Sequence, residues 1–112
     1  GPATFTLTWT SERFAKANPK NLPIFVAALR QADKFIEAHP EDAAKLYAAS
    51  THTKIPLPDL VKMITDKQVH WTTQPQQTMK YARFMAKIGM IPAAPSSWKE
   101  MFFPEITDRP GS

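Results

Sequence analysis

Apolar and polar positions alternate without a break over Thr4-Phe5-Thr6-Leu7-Thr8-Trp9-Thr10. A period of two places Phe5, Leu7 and Trp9 on one face and the threonines on the other, which predicts a β-strand over residues 4–10. Both faces are made of good strand formers. No second segment carries this pattern. A lone strand cannot satisfy its own N–H and C=O groups, so the expectation is that it pairs with something outside the chain.

After Ser11 the period becomes helical. Ser11 can cap a short helix carrying Phe14 and Ala15, which Asn18-Pro19 ends because a residue before proline is pushed out of the α region. Leu22, Phe25, Val26, Leu29, Ala32 and Ile36 then recur at helical spacing and predict a buried stripe on a helix from about Pro19 or Pro23 to Ala38. Pro40 opens the next helix. Glu41 and Asp42 suit its positive end, and Ala43, Leu46 and Tyr47 are expected to face inward. Thr53 to Pro56 is a loop, and a helix beginning near Pro58-Asp59 carries Leu60, Val61, Met63 and Ile64. Lys67 to Gln74 is irregular or extended. Pro75 is expected at the first position of a helix with Thr78, Tyr81, Ala82, Met85 and Ile88 on one side, stopped by Gly89 in a left-handed conformation. Ser97 and Glu100 form a capping box for a last short helix with Trp98, Met101 and Phe102, and the tail 104–112 is extended. The chain therefore reads as mainly α: five to six helices plus one N-terminal β-strand, within a single partial domain spanning 1–112. Phe14 to Asn21 echoes Phe35 to Asp42, but no third copy follows. Shared helix-stop grammar accounts for the echo better than a solenoid does.

Composition narrows the function classes. The chain has 112 residues with 43% hydrophobic and 21% charged, the balance of a globular domain. Three glycines are too few for a strand-rich domain with tight hairpins or for a phosphate-cradling loop, whereas eleven prolines suit helices with firm boundaries. Cysteine is absent, which excludes disulfides, thiolate chemistry and Cys-ligated metals but leaves the compartment open. No apolar run approaches the ~20 residues that cross a bilayer. The N-terminal residues lack a signal-peptide pattern, and Gly1-Pro2 reads either as a cleavage scar or as internal sequence. The net charge is +4, modest for a nucleic-acid binder, and Lys80, Arg83 and Lys87 read as a solvated helix face, so no nucleic-acid partner is expected.

Catalytic chemistry finds little support. His39, His52 and His70 lack metal-ligand spacing; only His70, beside Trp71, has an aromatic setting. Serines occupy caps and helix ends, none in a nucleophile elbow, so no enzyme, cofactor or metal is expected. The aromatics are more informative. Trp98, with Phe102 and Phe103, reads as a plug holding the C-terminal helix to the body. Trp9 and Thr10 close the alternating segment, and open α/β sheets place ligands at such strand ends. N–H groups at the following helix start are candidates to receive an anion there. Trp9, Thr10 and Trp71 are the candidate ligand-binding residues.

Taken in order, several segments resemble one family. The alternating strand running into Ser11-Glu12-Arg13-Phe14-Ala15-Lys16-Ala17-Asn18-Pro19, the stretch Phe25-Val26-Ala27-Ala28-Leu29 and the run Ala38-His39-Pro40-Glu41-Asp42-Ala43-Ala44 are similar to substrate-binding proteins of ABC importers. The nitrate, sulfonate and taurine group, related also to thiamine-precursor binders, is the nearest in pattern. Thr73 to Ala82 with Phe84 to Gly89 resembles that group's penultimate helix, and Ser97 to Ile106 resembles the C-terminal end of one subgroup. The resemblance implies the C-terminal third of a two-lobe α/β periplasmic-binding-protein fold that closes on a solute. It further implies a small, anionic organic solute, an ABC permease as partner, and a periplasmic or extracellular membrane-tethered location. The cysteine-rich motif of relatives that synthesise a thiamine precursor is missing, so that activity is not implied. The competing expectation is a stand-alone helical interaction module that forms a homodimer through its strand or its apolar helix faces.

Overall fold

The computed structural model describes residues 1–112, and its regular structure is helical. Six α-helices follow in order: α1 (Glu12–Ala17), α2 (Asn21–Ala38), α3 (Pro40–Thr51), α4 (Leu57–Ile64), α5 (Thr78–Lys87) and α6 (Pro104–Thr107), with a 3-10 helix over Trp98–Met101 between the last two. The chain divides into two compact units. One comprises residues 1–26 and 73–112, the other residues 27–72.

The strand expected over residues 4–10 is absent: the chain contains no strand at all. The physical cause is the missing partner. Thr4 donates its N–H to the Gln76 carbonyl at 3.0 Å, but from Phe5 to Thr10 no backbone group is hydrogen-bonded within the chain. Alternation records a side-chain preference for a pleated, half-buried surface. It cannot supply the second edge that a ladder requires.

Within the first unit, the helix starts are set by caps. Ser11 is the N-cap of α1, its Oγ accepting the Phe14 N–H at 3.0 Å. Ser97 and Glu100 form the expected capping box, although the helix it opens is 3-10 in form. α5 begins at Thr78 rather than Pro75, because the residues between are engaged elsewhere. Gln76 N–H donates to Thr4 Oγ1 at 2.8 Å, and Gln77 adopts a left-handed conformation with φ 55°. Gln77 N–H goes to Ser112 Oγ at 2.9 Å, and its side chain donates to the Pro2 carbonyl at 2.9 Å. The Ser112 carbonyl oxygen accepts both the Thr78 N–H (2.8 Å) and the Thr78 hydroxyl (2.6 Å). Ser112 thus satisfies donors that the helix start leaves open, while Pro2 and Thr4 hold the two residues just before it. At the other end of α5, Gly89 at φ 78° completes a Schellman motif: Met90 N–H reaches the Met85 carbonyl and Gly89 N–H the Ala86 carbonyl. The tail is not wholly extended, since Pro104 starts the single turn of α6. Trp98 and Phe102 pack edge to face at 5.9 Å, and Gly111 lies so close that a Cβ there would meet the indole at 2.8 Å. The expected plug is therefore Trp98 with Phe102 and the returning tail.

The second unit is built on α3 packed against α4. Ala43, Ala44 and Leu60 are its buried side chains, the alanines being small enough for the helices to approach closely. His52 ends α3 in a left-handed conformation, φ 52°.

Both cores are thin. The first unit buries Val26, Pro75, Thr78 and Ala82. Several positions expected inside are outside: Phe25, Leu46, Tyr47, Tyr81 and Ile88 are exposed, and of the α2 stripe only Val26 is buried. The reason is arithmetic: the periodicity marks faces suited to burial, and the chain carries more such faces than it has elements to cover them.

Candidate functional site

The three candidate ligand-binding residues fall in different settings. In the first unit, Trp9 is 87% exposed and Thr10 half-buried just before the α1 cap. Trp9 continues the row formed by Phe5 (98% exposed) and Leu7 (62%). An indole with no neighbour cannot desolvate a solute by itself, so these residues offer one wall of a site and no enclosure. The anion-receiving N–H groups expected at the α1 start are reduced by one, because Ser11 Oγ occupies that of Phe14.

Trp71, in the second unit, lies at a cleft. Its Nε1–H donates to the Ile64 carbonyl at 3.2 Å, which pins the indole beneath the C-terminal end of α4. The cleft has a volume of about 230 Å³ and is lined by Ile36, Glu37, Ile64, Thr65, Asp66, Val69 and Trp71. Thr65 turns its hydroxyl back to the Val61 carbonyl at 2.8 Å, and an Asp66 carboxylate oxygen accepts the Gln68 N–H at 2.8 Å. The wall is therefore apolar with two carboxylates. That charge repels an anion, and the volume falls below the roughly 300–1,000 Å³ of small-molecule sites. Trp71 does not fit an anionic solute. The signal that separates it from Trp9 is Glu37, which α2 delivers to the cleft and which no local spacing around Trp71 announces.

One turn before Glu37, Asp33 lies half-buried. Partial burial, and then the Glu37 carboxylate, raise its pKa above the ordinary carboxylate value. A folded-state pKa above the unfolded one means that the ionised form is penalised by folding. The penalty is full above the raised value, relaxes as pH falls through it, and vanishes once the unfolded chain is protonated as well. Asp33→Asn is therefore expected to raise the melting temperature at neutral pH and to have no effect near about pH 3. Thermal melts at the two pH values check this, and an equal shift at both would exclude the electrostatic cause.

The histidines occupy structural positions. His39 stacks on Phe35 with centroids 5.4 Å apart at the α2–α3 junction, His52 is the α3 C-cap, and His70 is exposed. No group of three or more His, Cys, Asp or Glu side chains is placed to hold a metal ion. A second hollow, in the first unit, has a volume of about 310 Å³ between Glu12, Ala15, Lys16, Pro19 and Leu22 on one side and Phe103 to Glu105 on the other. Phe103 thus borders the hollow beside α1.

What sequence reasoning missed is the junction of residues 2–4, 75–78 and 111–112. Its threonine, glutamines and serine carry no motif, and only their distant partners make them structural. It missed also that α5 leaves an apolar row in solvent beside its cations. Set against known proteins, the chain matches no family model, no curated sequence and no solved structure.

Proposed function

We propose that these residues are the helical closing segment of a solute-binding protein that captures a small anionic organic solute, sulfonate- or nitrate-like, for an ABC importer. The observation that supports it best is the segment Phe5 to Thr10. Its backbone is unbonded within the chain and its three large apolar side chains lie in solvent, as for a strand whose sheet belongs to the rest of a two-lobe α/β protein.

In this reading the mechanism is binding and lobe closure, with no covalent step. Trp9 supplies an apolar wall and Thr10 a hydroxyl donor at the point where the segment leaves the sheet, and the remaining contacts come from the other parts of the parent. Trp71 is left out, since its cleft is acidic. The setting is periplasmic or membrane-tethered; no helix is long and apolar enough to cross a membrane.

The test combines the intact mass of the natural gene product with isothermal titration against taurine, nitrate and alkyl sulfonates. A longer parent that binds one of these, at least tenfold more weakly after Trp9→Ala, supports the reading. Micromolar binding by the 112 residues alone would overturn it. The second reading, a stand-alone helical module, draws on the same uncovered apolar side chains. A natural product of this length that light scattering shows to be a homodimer favours that module over the transporter segment.

A further inference from the structure

Between Asp66 and Glu100 the chain contains no acidic residue, while Lys67, Lys80, Arg83, Lys87 and Lys99 all fall there. Three of these cations lie on α5. At about 100° per residue, Lys80, Arg83 and Lys87 share one arc of that helix. Tyr81, Phe84 and Ile88 share the adjoining arc, and Thr78, Ala82 and Met85 point the other way. The structure agrees: Thr78 and Ala82 are buried, the three cations are exposed, and Tyr81, Phe84 and Ile88 are each more than half exposed. The Schellman turn at Gly89 carries the row one residue further to Met90, which is also mostly exposed.

We propose that this face of α5 is a docking surface for an anionic lipid headgroup layer. The charge complementarity is direct. A row of aliphatic and aromatic side chains enters the boundary between headgroups and acyl chains while flanking Lys and Arg side chains reach the headgroups, as interfacial helices do. Nucleic acid fits less well, because Ile88 and Met90 have no flat face on which a base can stack. Among the other exposed apolar side chains, Phe5, Leu7 and Trp9 lie in a segment with no cation between Gly1 and Ser11 and carry no such preference.

Co-sedimentation of the folded chain with vesicles of pure phosphatidylglycerol or pure phosphatidylcholine tests the proposal. Each cation near an anionic membrane is worth roughly a fivefold gain in partitioning. Binding to phosphatidylglycerol at low salt is therefore expected to exceed binding to phosphatidylcholine by about a hundredfold and to weaken as salt rises. Lys80→Glu, Arg83→Glu and Lys87→Glu together are expected to abolish the preference. Phe84→Ser with Ile88→Ser should lower binding to phosphatidylglycerol severalfold without restoring any to phosphatidylcholine. All five positions are exposed, and circular dichroism of each variant verifies that the helices persist. Equal binding to both vesicles, unchanged binding by the charge-reversed variant, or retention by double-stranded DNA with none by vesicles would each overturn the proposal.

Discussion

Leu60→Ala is expected to destabilise the unit of residues 27–72 by about 2–5 kcal/mol, the cost of a truncated core leucine together with the cavity it leaves. The size of the effect follows from how little else is buried there. Leu60 is the only large side chain of that unit that is buried, and its buried companions are Ala43 and Ala44. At roughly 0.05–0.15 kcal/mol per residue the whole unit has only about 2–7 kcal/mol to lose. The variant is therefore expected to leave α3 and α4 marginally stable or melted at room temperature. Hydrogen exchange across residues 40–64 reads this directly, with amides that are slow in the unsubstituted chain becoming fast. A loss under about 0.5 kcal/mol, the level of ordinary surface changes, would show that the α3–α4 contact is not what stabilises the unit.

The second large effect is a difference between two contexts. Replacing Phe5, Leu7 and Trp9 by serine should leave the isolated chain within about 0.5 kcal/mol of its original stability, because all three already stand in water. In the longer solute-binding protein proposed above, the same substitutions are expected to cost about 5–9 kcal/mol, at roughly 1.5–3 kcal/mol for each side chain that a sheet would bury. That is comparable to the whole stability of a domain, so the parent should fail to accumulate in folded form. Denaturant titration of the short chain and soluble yield of the parent make the comparison. Equal, small effects in both would remove the case for a sheet supplied from outside.

What could be read from the residues alone was whatever is decided within one helical turn. Ser11 as a cap, Pro40 at a helix start, the Ser97–Glu100 box and Gly89 as a left-handed stop all depend on near neighbours, and all stand in the structure. The failures are of another kind. The start of α5 slipped from Pro75 to Thr78 because Gln76 and Gln77 bond to Thr4, Pro2 and Ser112, partners no local pattern contains. Residues 4–10 have a strand's alternation without a strand's neighbour. Tyr81 and Ile88 sit on a helix face suited to burial, but nothing in the chain covers them. Of the candidate site residues, Trp9 and Thr10 were singled out by the end of the alternation, which lies within residues 4–10. The acidic surroundings of Trp71 depend on Glu37 and could emerge only once α2 and α4 were in place.

The junction that joins residues 2–4 to 75–78 also sets an order of events in time. Its bond between Gln76 and Thr4 spans 72 positions, whereas α3 and α4 are sequence neighbours, so the inner unit has the low contact order that favours fast folding. During synthesis at about 5–20 residues per second, residues 2–4 would wait roughly 4–15 seconds for their Gln76 and Gln77 partners to be made. Through that interval Phe5, Leu7 and Trp9 are an unpaired apolar ribbon on a nascent chain. Wherever no sheet covers it, such a ribbon stays exposed to aggregation for longer than the faces of the inner unit do.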